Sequence, residues 1–235
     1  MLKLNDANNF RRNALGLCLI AGPLVALIGG LVTPWEESDS TAAYLTALAG
    51  SPVRAQVSAV LLYFGYLLIA IGIFGMMHLL RHRAVVLGHV AGALAIWGWV
   101  SLPGLLSVDF YDLSLGASSD RQAAIAISDR AAGYAGAAVM GVSVLLGIIG
   151  LFLLVVALWR TGFVPLWTPA VFFVGTAASF AGPPTAISFT IATAAWLLAL
   201  GHVGLKILGM SDEEWERGGA PAREEAGPVA EARVV

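Results

Sequence analysis

Long apolar runs separated by short polar breaks make up most of the chain. The first runs from Ala14 to Val32 and gives way to Thr33-Pro-Trp-Glu-Glu-Ser-Asp39, a turn with three carboxylates. A helix rises about 1.5 Å per residue, so about 20 apolar residues cross a hydrocarbon core about 30 Å thick. On that measure the runs predict six transmembrane helices, at about 14–33, 57–80, 84–108, 133–158, 163–181 and 185–208. The expected fold is therefore all-α, a six-transmembrane-helix bundle.

The breaks carry helix punctuation. Arg81-His-Arg83, Trp159-Arg160 and Gly182-Pro-Pro184 are turns, and Pro165 and Pro169 sit in the first turns of the fifth span. Pro103 marks a kink in the third. In the first loop, Asp39 or Ser40 can cap a short helix that Gly50 ends, with Tyr44, Leu45 and Leu48 as its apolar face. Ser51-Pro52 then reads as N-cap and first residue of the next helix. In the second loop, Ser118 or Ser119 can cap a helix that begins near Asp120. Continued without a break to Trp159 it would reach about 60 Å, twice a hydrocarbon core. The segment 120–130 must therefore project, or break at Gly133 or Gly136. Residues 1–13 read as an interfacial segment, 14–210 as the transmembrane domain, and 211–235 as a disordered acidic tail that opens on a short helix at Asp212–Arg217. Leu67–Phe74 and Leu145–Phe152 share a pattern at an offset of 78, which suggests duplicated hairpins.

Composition agrees. Of 235 residues 58% are hydrophobic and 12% charged, against about 25% charged in a soluble domain. Too little charge is present to cover a water-facing surface. The apolar start at Ala14–Val32 is 19 residues, longer than the h-region of a signal peptide, so it reads as a retained span. The lone Cys18 rules out a disulfide framework within the chain.

Charge placement orients the bundle. With the N-terminus inside, ten Lys and Arg fall on inner segments and only Arg54, Arg121 and Arg130 on outer loops. Six spans then place both termini in the cytoplasm, in a multi-pass protein of the plasma (inner) membrane. The outer loops carry seven acids, among them Glu36, Glu37, Asp39, Asp109 and Asp112, which form an acidic mouth.

Inside the bilayer, small residues supply close contact: Gly88 and Gly92, Gly133-Ala137-Gly141 with Ser143 and Gly147 nearby, and Ser188-Ala195-His202. No buried Asp, Glu, Lys or Arg is expected within a span, which argues against an ion-coupled transporter.

Two constellations carry candidate chemistry. His78, His89 and His202 fall at a similar depth near the inner side, with His89 on a face shared with Gly92, Ala93 and Ile96. Imidazoles at one level can bind a metal, a haem or a quinone; near span ends they also meet headgroups or free carbonyls. The spacing holds no HxxxH or HExxH, so no metal site is assigned. The acidic mouth offers Glu36, Asp39, Asp109, Tyr111 and Asp112. Carboxylates beside aromatic rings bind cations or act as acid and base, and as a solvated loop they serve only as caps. No phosphate-binding loop, nucleophile elbow or zinc spacing occurs, and the bases are too few and dispersed for nucleic acid.

Ala21-Gly-Pro23, Thr33-Pro34, Ala42-Ala43-Tyr44-Leu45, Leu79-Leu80-Arg81 and Gly88-His89 with Gly92 together resemble the small six-helix integral membrane proteins of actinobacterial type, a likeness over about half the chain that implies no particular activity. In length the chain is also similar to compact integral-membrane terpene cyclases, which implies carboxylate-initiated isoprenoid chemistry; those enzymes have seven spans. The expected function is a non-catalytic accessory or small apolar-ligand-binding membrane protein, alone, as a homo-oligomer or in a larger membrane complex. Two alternatives stay open: a lipid- or isoprenoid-modifying enzyme that uses the outer carboxylates, and a haem- or quinone-binding redox subunit that uses the histidines. No cofactor is assigned.

Overall fold

The structure, a computed structural model, describes residues 6–36, 38, 40–180 and 185–219. Glu37, Asp39, the 182–184 turn and the tail from 220 onward lie outside the described residues.

All of the regular structure among the described residues is helical. The long helices are α1 (Ala7–Val32), α3 (Pro52–Leu80), α4 (Val85–Leu106), α7 (Ala135–Arg160) and α9 (Ala186–Gly209). The shorter ones are α2 (Thr41–Gly50), α5 (Val108–Gly116), α6 (Arg121–Ala132), α8 (Trp167–Phe180) and α10 (Asp212–Glu216). Five stretches are long and apolar enough to cross a membrane; one of them is the 32-residue run Val85–Gly116, which joins α4 and α5. The expected fifth span is the shorter α8, only 14 residues. It makes a poor match to the 22-residue α4, so the two hairpins at an offset of 78 are not equivalent.

Several boundaries move for identifiable reasons. The Asp6 carboxylate accepts from the Asn8 and Asn9 amides, so the first helix starts seven residues earlier than hydropathy implied and absorbs much of the segment read as interfacial. That places Arg12, which precedes the expected first span, inside a helix and buried. Ser40 caps α2 as expected, but Asp120, not Ser118 or Ser119, caps α6. Gly133 ends α6, and Tyr134 at an extended ψ of 141° starts α7 afresh, which resolves the overlong helix by a break.

The bundle is ordered by close backbone approach. α1 packs along α3 and α9, α3 against α4, α4 against α7, and α8 against α9. At the α4–α7 crossing, a Cβ built on Gly98 would sit 2.4 Å from the Gly147 Cα, and Trp97 Nε1 donates to Ser143 Oγ at 3.0 Å. Such contact replaces the hydrophobic drive that is missing in lipid. The upper part of the expected small stripe is not a close contact: Gly141 has open space around it, as does Gly136 beside the stripe. In the centre, Tyr66, Trp99 and Trp196 meet edge to face at 5.6 and 5.2 Å.

Two layers close the ends. At one end, α2, α5 and α6 form a cap that buries Leu45, Leu48 and Ala124. It is held by Tyr44 to Asp109, Thr41 to Asp129, and Arg121 to the Ala42 carbonyl. At the other end, α10 folds under α1 and α3. Trp215 is 1% exposed and stacks on His78 at 3.9 Å, while Arg12 pairs with Asp212 at 3.3 Å. Residues 211–219, read as the start of a disordered tail, are thus an ordered part of the bundle base. Since α10 touches the start of α1, the first and last described segments lie at the same end.

Candidate functional site

The cap encloses the mouth. α1 ends at Val32, and Thr33 turns the chain toward Trp35 and Glu36. Two hydroxyls fix that turn: Thr33 Oγ1 donates to the Gly29 carbonyl at 3.0 Å, and Ser58 of α3, itself buried, donates to the same carbonyl at 3.1 Å. Trp35 Nε1 donates to the Gly30 carbonyl at 2.9 Å, and its ring lies 5.5 Å from Phe189 of α9. Beside this turn is a half-open cavity of about 150 Å³ lined by Trp35, Glu36, Tyr44, Ser58 and Asp109, with Leu62 below. It is about five times the volume share of one liquid water.

Tyr44 joins the carboxylates. Its hydroxyl donates to Asp109 Oδ1 at 3.3 Å. Burial, then the negative Asp109 and Asp112, push the Tyr44 phenol well above its ordinary range, so it stays a neutral donor. Asp112 accepts from Ser128 of α6 at 3.4 Å. One turn beneath Leu62 on α3, Tyr66 is 6% exposed, lies within electrostatic reach of Asp109, and has no hydrogen-bond partner among the described residues. No Lys or Arg lines the cavity among the described residues. The arrangement can accept hydrogen bonds and a positive charge, with two aromatic rings to receive the apolar part of a ligand.

The expected site residues divide. Glu36 and Asp109 share the cavity, and Asp112 stands behind Tyr44. Tyr111 is 74% exposed and turned away, and Asp39 lies outside the described residues. Residues 109 and 112 share a helix face, whereas 111 falls nearly opposite 109. Trp35, Tyr44 and Ser58 also line this site, beyond the residues expected from the sequence. Only the adjacency of Trp35 to Glu36 could have signalled any of them.

The histidines do not form one site. His78 is held by Trp215, with its Nε2 at 2.9 Å from the Trp215 carbonyl. His89 is exposed, with Nδ1 at 2.7 Å from the Val85 carbonyl, contrary to the expected inward face. His202 packs on Trp167 at 4.7 Å, and its Nε2 is buried without a partner. Among the described residues no group of three or more His, Cys, Asp or Glu side chains could hold a metal ion.

The fold and apolar spans define a helical, multi-pass integral membrane protein. No family model matches the chain, and no curated protein or solved structure was found similar to it.

Proposed function

We propose that the protein is a non-catalytic binding protein that receives a small organic ammonium group in the capped mouth of its bundle. The observation that carries this is the cavity in which Glu36, Asp109, Trp35 and Tyr44 meet with no basic residue in its described lining. A carboxylate supplies charge there, and an aromatic face binds an alkylated ammonium better than water does once water is excluded. Binding of an alkyltrimethylammonium probe to the purified protein is expected to weaken at least about tenfold in Asp109→Asn, a loss of about 1.4 kcal/mol. An affinity unchanged by that substitution would sink the reading.

A second reading keeps the same residues in an enzyme. Glu36 and Asp109 line a cavity whose floor, Leu62 with Leu48, is apolar, as an isoprenoid- or lipid-modifying site requires. Turnover of such a substrate that is lost in Asp109→Asn would favour this reading over simple binding.

In the bilayer we place the capped end outside and both termini in the cytoplasm, with α8 as a short sixth crossing. The basic turns at Arg81, Arg83 and Arg160 support this, as does the meeting of α10 with the start of α1. In a Cys18→Ala background, Ser118→Cys is expected to react with an impermeant maleimide on intact cells, and His82→Cys only after permeabilisation. Both positions are exposed. The reverse labelling pattern would invert the orientation.

A further inference from the structure

A second cavity, of about 480 Å³, adjoins the acidic one, and the two share Thr33, Pro34 and Trp35 in their linings. The charge on its wall has the opposite sign. Arg54 is the only charged residue among its described lining, with Ser51 and Thr190 as further polar groups. Arg54 Nε donates to the Val32 carbonyl at 3.2 Å and Nη2 to the Thr33 carbonyl at 3.5 Å. Those bonds orient the guanidinium at the end of α1 and leave Nη1 without a partner among the described residues. Ser51, the N-cap of the 29-residue α3, makes no side-chain cap bond, so the positive end of that helix adds to Arg54.

The same cavity opens beside exposed apolar side chains at the ends of two spans, α1 and α9. Leu31 and Ala186 line it; Leu31 is 60% exposed, and Ile187 beside Ala186 is 74% exposed. Trp35 stands between an anion-accepting cavity beside these apolar side chains and a cation-accepting cavity under the cap.

We infer that the ligand is a zwitterionic phospholipid of the adjacent leaflet. Its phosphate sits against Arg54, its ammonium enters the Glu36–Asp109 cavity across Trp35, and its acyl chains run down past Leu31. This rests on the acidic cavity as an ammonium site and adds the phosphate and the lipid source. Charge complementarity selects the occupant: an anionic phospholipid leaves Glu36 and Asp109 unpaired, and a cationic lipid leaves Arg54 unused. A bidentate or charge-assisted contact to phosphate is the chemistry for which a fixed guanidinium is suited.

The test uses the full chain in detergent, with retention of three dioleoyl lipids measured by native mass spectrometry: phosphatidylethanolamine, phosphatidylglycerol and a trimethylammonium-propane lipid without phosphate. Phosphatidylethanolamine is expected to be retained about tenfold better than either of the others. Arg54→Gln should lower it to the level of the cationic lipid while leaving the cationic lipid unchanged. Because Arg54 also ties down the end of α1, Arg54→Lys and the cavity-filling Thr190→Phe accompany it: the first should retain most binding, the second lose it. Equal retention of phosphatidylethanolamine and the cationic lipid, both lost in Asp109→Asn, would overturn the zwitterion inference and leave the ammonium reading intact. Retention indifferent to Asp109→Asn would overturn both. Soluble phosphoethanolamine that competes as well as the lipid would overturn the lipid source.

Discussion

Gly147→Leu is expected to yield little or no monodisperse protein, whereas Gly141→Leu, six residues earlier on the same helix, should purify like the parent. A Cβ on Gly147 would stand 2.6 Å from the Gly98 Cα and 3.0 Å from the Gly98 carbonyl carbon, so the obstacle is backbone and cannot rotate away. Gly141 has nothing within 4 Å. Overpacking of a tight contact costs about 1–3 kcal/mol when side chains can adjust. Here α4 and α7 must separate, which also breaks the bond from Trp97 to Ser143 at their interface. The loss should therefore exceed that range. Size-exclusion profile and thermal midpoint, compared between the two variants, decide it. Equal behaviour would mean that α4 and α7 do not meet at these glycines.

Trp215→Ala is expected to destabilise the bundle by about 3–5 kcal/mol, the usual cost of deleting a fully buried tryptophan. It removes the ring stacked on His78 from a helix of only five residues, which cannot stand without its tertiary contacts. The Arg12–Asp212 pair and the bond from Asn9 to Asp212 depend on α10 staying docked, so they should fall with it. Trp215→Phe keeps a ring on the imidazole and should recover a good part of the loss. Denaturant or thermal unfolding in detergent measures both, and an Ala variant as stable as the parent would show that the base does not depend on α10. The capping box between Ser211 and Glu214, whose bonds hold the Glu214 carboxyl below its usual range, shows that this short helix is locally specified as well as docked.

The candidate site was half legible. Glu36 and Asp109 stood out because carboxylates are rare in this chain and each follows an apolar run. Tyr111 stood out for its proximity in sequence, but on α5 it faces away from Asp109. Tyr44 looked like part of the apolar face of α2, and it is half-buried as that face requires; its hydroxyl found Asp109, 65 residues on. Arg54 looked like a minor exception to the charge rule, and the structure shows it bonded to the end of α1 beside a cavity. The histidines formed a level in the sequence, yet each is engaged by its own neighbours. Depth along a span says nothing about rotation around it.

The sequence by itself determined the class: a helical protein that spans the membrane, with α2 and α6 in its two loops and a short helix after the last span; between projection and a break at Gly133 or Gly136 after residue 130 it left the choice open, and the structure breaks at Gly133. These follow from local physics, namely apolar run length, caps and breakers, which act within a few residues. Tertiary structure alone decided which small residues touch, so that Gly98 and Gly147 meet while Gly136 and Gly141 stay open. It also decided that Trp215 closes the base against His78, and that Glu36, Tyr44 and Asp109 share one cavity. Those outcomes depend on the order and rotation of helices far apart in the chain. Lipid offers nearly the same apolar surroundings on every side, so hydropathy cannot select among them; only fitted contacts and hydrogen bonds do.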